Sequence, residues 1–359
     1  MKYGTRKVMS QFINDIIHAF YVNIHTFQEN NWDYDRFKTS EKDHTNRQIF
    51  IDSYSYYLKF LFQNQENLQQ VHEILADSES KNWLTNLLLF RLVGHLHFKL
   101  PTNNEQHWRD RHKAREMIVS KSNTDYSGIF GELQKYAVSF EDQHITIDCW
   151  WGNVAWTFLF KQYYFSRNNV QICPEPGDYV IDAGACFGDT AIAFASTIGS
   201  EGKVFSFEIE PHNLDVFCYN LMQNEDLAER VVISDYALTD SSENQLYLHG
   251  DGPGANISNT PSEIPIATTT IDQLVYEKSI DRVDFIKMDI EGAELSALHG
   301  AVETIRKFRP KLAISIYHRP NDIFDIPLFI HSLDIGYQLY IDHYTIHSEE
   351  TVLYAKVME

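Results

Sequence analysis

Positive charge is scarce in this sequence: 30 Lys and Arg stand against 50 Asp and Glu, a formal net charge of −20 over 359 residues. A surface that tracks phosphates needs the opposite balance, which argues against a nucleic-acid partner. A basic run that could hold an anionic membrane is also missing. Cysteine is sparse, with Cys149, Cys173, Cys186 and Cys218 showing neither C-x-x-C nor Cys/His ligand spacing. That disfavours a zinc module or a disulfide framework and predicts a reduced, cytoplasmic chain. The apolar runs, such as Trp83 to Val93, are too short and too mixed to span a bilayer. Lys2, Arg6 and Lys7 precede Val8 to Ile17 as in a leader segment. Ser10, Gln11, Asn14, Asp15 and His18 interrupt that run, which makes it an amphipathic helix instead.

What is present is an ordinary globular composition, 43% hydrophobic, with a high aromatic share of 14%. The length favours two domains. Helical periodicity fills the N-terminal part, in Arg6–Phe27, Arg47–Phe62, Leu68–Asp77, Lys81–Phe98 and Trp108–Ser120. Polar turns such as Ser40 to Asn46 separate some of these segments. At Tyr136 the period changes to two. Tyr136–Phe140 and His144–Asp148 read as a hairpin closed by Glu141-Asp-Gln, and Asn153–Tyr164 as a short helix. Beyond the stiff Cys173-Pro-Glu-Pro-Gly stretch, strand and helix alternate to Asp334, and two more strands, Tyr337–Asp342 and Thr351–Lys356, end the chain. The expected fold is therefore α/β: a doubly wound, largely parallel sheet with an antiparallel C-terminal edge, behind a mostly α-helical N-terminal domain. The expected divisions are 1–135, 136–168 and 169–359.

The strand Tyr179–Ala183 runs into Gly184-Ala185-Cys186-Phe187-Gly188, and a helix follows. Strand, glycine turn and helix form the general nucleotide-binding arrangement. The spacing is not the dinucleotide G-x-G-x-x-G, and Asp182 precedes the first glycine. A carboxylate there suits a ligand with ammonium and hydroxyl groups better than a pyrophosphate. Glu208 ends the next strand at the distance from the turn where a carboxylate meets ribose hydroxyls. Glu210 shares its parity, but Pro211 signals that the chain is already leaving the strand, so Glu208 is preferred. Ser234 or Asp235, at the third strand's exit, sits where an adenine amino group is read. The cofactor candidates are Asp182, Gly184, Ala185, Phe187, Gly188, Asp189, Thr190, Glu208, Ser234, Asp235 and Asp289.

Taken together, Asp182-Ala-Gly-Ala-Cys-Phe-Gly-Asp189, Phe207-Glu208, Asp284-Phe-Ile-Lys-Met-Asp-Ile-Glu-Gly-Ala-Glu294 and Pro310-Lys-Leu-Ala-Ile-Ser315 resemble the FkbM family of methyltransferases. The resemblance spans roughly residues 170–357 and leaves the N-terminal part uncovered. It implies a class I methyltransferase fold, S-adenosylmethionine as methyl donor and S-adenosylhomocysteine as product. It also implies an oxygen acceptor, here expected to be a sugar hydroxyl in a glycan or glycosylated product. A non-sugar metabolite, or a non-catalytic binding role for the same fold, is the alternative.

Transfer to a hydroxyl calls for alignment of the acceptor and for a base. His318, at the fifth strand's end, is the first choice, with Asp289 and Glu291 beside it in the expected topology. Glu294 is assigned to the first turn of the following helix. Lys287, Tyr317, His343 and His347 are acceptor-side candidates. Some sugar O-methyltransferases of similar class hold a divalent ion with carboxylates at the fourth and fifth strand ends. Here the fifth offers Tyr317-His318 instead of an acidic pair, so no metal set is predicted. The glycine-rich excursion His249 to Ser258 reads as a lid. The N-terminal domain is assigned to pairing subunits, docking a glycan-synthesis partner or holding the rest of a polymer.

Overall fold

A computed structural model describes residues 10–29, 31–37, 47–128, 131–243 and 245–358. The basic residues Lys2, Arg6 and Lys7 and the turn Ser40 to Asn46 lie outside the described residues.

Five N-terminal helices match the apolar periodicity with shifted ends: α1 (Gln11–Asn23), α2 (Arg47–Gln63), α3 (Gln65–Ile74), α4 (Ser78–Val93) and α5 (Glu105–Glu116). Caps set the starts. The side chains of Ser10, Asp77 and Asn104 accept from the backbone N–H groups of Ile13, Ser80 and His107. The expected helix to Ser120 stops earlier. Ile118–Lys121 is a strand, β1, because Ile118, Ser120 and Lys121 pair in a sheet with β2 (Gln134–Phe140), with Val119 skipped at a bulge. β2 and β3 (Gln143–Cys149) form the expected hairpin, turning through Glu141 and Asp142 at φ 46° and 61°. The short helix expected over Asn153–Tyr164 is a three-residue turn running into a π-helix, Val154–Leu159. Tyr163 and Tyr164 lie beyond it.

The core of the molecule is a seven-stranded sheet. In chain order its strands are β4 (Tyr179–Ala183), β5 (Lys203–Phe207), β6 (Val231–Ser234), β7 (Phe285–Met288), β8 (Lys311–Ser315), β9 (Tyr337–His343) and β10 (Thr351–Val357). Their order across the sheet is β6-β5-β4-β7-β8-β10-β9, parallel except for β10, which is antiparallel to both neighbours; the antiparallel C-terminal strand thus inserts one place in from the edge, which β9 forms. Strand order reverses between β4 and β7, the position where open α/β sheets hold their ligands.

Side-chain alternation gives the sheet a core on each face. On one face Ile181, Ile286, Leu312 and Leu353 join buried residues of the N-terminal helices, among them Leu68, Leu84 and Leu88. On the other, Val180, Phe285, Ala313 and Tyr354 pack against the hairpin and the π-helix through Ile145, Ile147 and Trp156. Thus the N-terminal helices share a core with the sheet. Among the described residues no helix is long and apolar enough to cross a membrane.

Candidate active site

The turns after β4 and β7 meet at the sheet's reversal point. Gly184 has φ +81°, and a Cβ there would stand 1.9 Å from the Asp289 carbonyl oxygen. Asp289 in turn donates its N–H to the Ala183 oxygen at 3.0 Å. Gly188, at φ +82°, opens helix α6 (Asp189–Ile198) and packs on Phe217. Two bulkier residues would hold these chains apart, so the glycines are demanded by contact.

Buried Lys287 braces the same junction. Its Nζ lies 3.2 Å from Asp182 Oδ1 and donates to the carbonyl oxygens of Ala183 (3.1 Å) and Gly184 (2.6 Å). Burial opposes its charge, but Asp182 and Asp289 hold the ammonium above the ordinary lysine range. Asp182 is fully buried, accepts from Thr190 Oγ1 and does not reach the cavity described below.

A cavity of about 530 Å³ opens where the turns meet. One end is lined by Gly184, Ala185, Asp189, Thr190 and Glu208. Glu208 Oε2 accepts from the Cys186 N–H at 2.7 Å, and Oε1 from Ile209 and Glu210 at 2.8 and 2.9 Å. Burial raises its pKa to about 7 in spite of these donors. Glu210 instead caps the helix α7 (Pro211–Met222), accepting from the Asn213 N–H. Asn213 lines the cavity with a buried Oδ1 that has no hydrogen-bond partner among the described residues. Asp189, its pKa raised to about 6 by burial, accepts from Asn153 and Thr157.

The other end holds Asp289, Glu291, Tyr317 and His318. Glu291 and Gly292 turn the chain with φ of +53° and +94°. Tyr163 and Tyr317 donate to the two Asp289 oxygens at 2.8 and 3.1 Å. The His318 imidazole is enclosed by carboxylates. Its Nε2 lies 3.5 Å from Asp289 Oδ1 and 3.6 Å from Glu291 Oε2, and its Nδ1 lies 2.9 Å from Glu294 Oε1. Burial alone would lower its pKa, but Glu291, Glu294 and Asp289 hold it well above the ordinary histidine range.

The remaining candidates lie elsewhere. Phe187 packs edge-on against Tyr126, and Gly188 rests on Phe217; neither lines the cavity. Ser234 lends its carbonyl oxygen to the Glu208 N–H, and it and Asp235 also stay outside. His343 is buried against Thr351 Oγ1 at 2.9 Å. His347 accepts from the Asp33 N–H at 3.0 Å, within a ring cluster with Trp32. The glycine-rich excursion joins two strands of a small three-stranded sheet, and Gly252 to Ile257 line the cavity.

Arg36, Trp150, Trp156, Gln162, Tyr163, Glu349 and Glu350 also line it, and sequence reasoning did not single them out as site residues. Arg36 comes from the N-terminal segment. Its Nη2 donates to Glu350 Oε1 at 2.6 Å, its guanidinium covers the Trp156 ring at 4.7 Å, and its buried Nη1 has no hydrogen-bond partner among the described residues. Only tertiary contact brings these groups together, and none stands in a motif that announces it.

The strand order and the paired turns at its reversal define a class I methyltransferase fold. Residues 182–339 match the Methyltransferase FkbM domain. Over 200 residues the chain is 27% identical to the hexuronic acid methyltransferase AglP of Haloferax volcanii, covering 54% of this chain and 77% of that protein. Methyltransferase FkbM from Methylobacillus flagellatus KT has a similar fold, with a TM-score of 0.53 and 22% identity. That superposition covers 83% of this chain but only 60% of the other, so the present chain spans less than two thirds of that protein's length. Residues 182–339 are thus similar to FkbM methyltransferase domains, a match that covers less than half of the chain.

Proposed function

We propose that the protein transfers a methyl group from S-adenosylmethionine to a sugar hydroxyl. The observation that carries this reading is the single cavity joining the Gly184–Glu208 end to the Asp289–His318 end.

The first end fits the donor. Glu208 offers a buried carboxylate to the ribose hydroxyls, Asn213 a spare acceptor, and Gly184 a turn without a side chain. When bound, the donor supplies an electrophilic methyl on sulfonium: a carbon–oxygen bond forms as the carbon–sulfur bond breaks, and the hydroxyl proton leaves. The remaining task of the chain is to align the acceptor and accept that proton. Carboxylates surround the ring of His318, whose side chain is only 7% exposed. We therefore assign the proton to Glu291, whose side chain is 35% exposed, and give His318 the work of positioning it.

Two features support a saccharide. Trp150 and Trp156 line the cavity, and the Arg36 Nη1 offers a donor for a hydroxyl or a sugar carboxylate. The Haloferax relative is itself a hexuronic acid methyltransferase. Incubation with tritiated methyl donor and defined uronic acid and neutral glycosides tests the reading. Label in an alkali-stable ether on a sugar supports it, and label only in non-sugar metabolites overturns it.

A further inference from the structure

We infer that Asp289, Glu294 and His318 form a binding site for a divalent first-row cation of the Mn2+ or Zn2+ type, beside the acceptor end of the cavity. The inference rests on the geometry of the cluster and not on the identity of the acceptor.

One ligand atom from each of the three residues lies within 4.8 Å of the other two. An ion held at about 2.1 Å by each needs ligand atoms roughly 3–4 Å apart, so small side-chain rotations close the set. The three come from different places: Asp289 from the turn after β7, Glu294 from the helix start that follows, and His318 from the segment after β8. A cluster of acids alone would say little. The second observation is the state of the histidine. His318 is 7% exposed, and neither ring nitrogen makes a hydrogen bond of acceptable geometry among the described residues. The fully buried Glu294 has an Oε2 in the same condition, while its Oε1 accepts from the Ile290 N–H at 2.8 Å. Buried polar atoms are ordinarily satisfied. Here the unsatisfied imidazole lines the cavity, and Glu294, which carries the unsatisfied Oε2, stands beside it with Oε1 2.9 Å from Nδ1.

Charge points the same way. Asp289, Glu291 and Glu294 surround one imidazole. Lys287 hydrogen-bonds Asp182 and two carbonyl oxygens and shares its charge between Asp182 and Asp289, so the carboxylates still outnumber the cations. A divalent ion balances the surplus. One imidazole with carboxylates suits Mn2+ or Zn2+ better than Mg2+, which takes an all-oxygen shell. Glu294 is the residue that sequence reasoning gave only to a helix terminus. Asp289 and His318 line the cavity, so an ion bound to them would face an acceptor hydroxyl and polarise it.

Mn2+ binding to the full chain, read from the loss of the free-ion paramagnetic resonance signal, tests the site. The expected result is one ion per chain at micromolar affinity, displaced by Zn2+. Glu294→Gln keeps an acceptor for the Ile290 N–H, and it and His318→Ala should each weaken Mn2+ at least tenfold. Retained S-adenosylhomocysteine affinity and circular dichroism in the variants separate this from failure of the donor site or of folding. No Mn2+ binding by the wild-type chain, or equal binding by Glu294→Gln, overturns the inference.

Discussion

A Cβ on Gly184 would meet the main-chain oxygen of Asp289 at 1.9 Å. That relationship holds the ends of β4 and β7 together, and it lets the donor-binding turn and the acceptor cluster share one cavity. Gly184→Ala must push the two strands' exits apart at a φ that disfavours alanine. The expected outcome is a loss of about 1–3 kcal/mol in stability with donor binding reduced at least tenfold, read by denaturant titration and calorimetry.

Glu208 makes donor binding depend on pH. Burial raises its carboxyl pKa to about 7, above the unfolded value of 4.5. The sign follows from which form each state prefers. The unliganded fold favours the protonated form, so this group's contribution to stability is present below about pH 4.5 and is lost as pH rises through 7. Ribose hydroxyls favour the ionised form, so donor affinity should rise with pH over the same interval. Between pH 8 and pH 6 the affinity for S-adenosylhomocysteine should fall about tenfold. Glu208→Gln should lower affinity and flatten that slope. A slope unchanged in the variant would assign the titration to another group.

Arg36 links the N-terminal segment to the acceptor end. Its guanidinium is held by Glu350 and the Trp156 face, leaving Nη1 for a ligand. Arg36→Ala should raise the acceptor KM about tenfold with little change in donor affinity. If the acceptor is a uronic acid, its neutral analogue should lose less. Equal KM values for wild type and variant would remove Arg36 from acceptor binding.

The same segment depends on a buried ion pair. Arg111 donates to both Asp33 oxygens, at 2.6 and 2.8 Å, with side chains 2% and 4% exposed. Arg111→Ala leaves an uncompensated buried carboxylate and should cost about 3–5 kcal/mol. Thermal denaturation checks this. A change below about 1 kcal/mol would mean that Asp33 finds water or another partner.

Features repeated along the chain were legible in the sequence. The strand–helix alternation, the hairpin turning at Glu141 and Asp142, and the antiparallel β10 follow from periodicity and turn chemistry. The glycine turn was legible because Gly184 and Gly188 answer local backbone demands. What periodicity cannot show is the partner of a side chain. Asp182 looked like a ligand and is bound to Lys287 and Thr190. His343 and His347 looked like cavity residues and are buried beside Thr351 and Asp33. Arg36 and Trp156 carried no signal because they become neighbours only when the N-terminal helices and the hairpin close on the sheet. Ile118 and Val119 were read as helix because a strand partner at Gln134–Tyr136 is invisible to a local window.

The central claim is that the Gly184–Glu208 end of the cavity holds a methyl donor. Titration calorimetry of the full chain with S-adenosylhomocysteine, and in parallel with NAD, tests it most directly. The account predicts saturable binding of S-adenosylhomocysteine at one site per chain and none of NAD. Binding of NAD without binding of S-adenosylhomocysteine would contradict it.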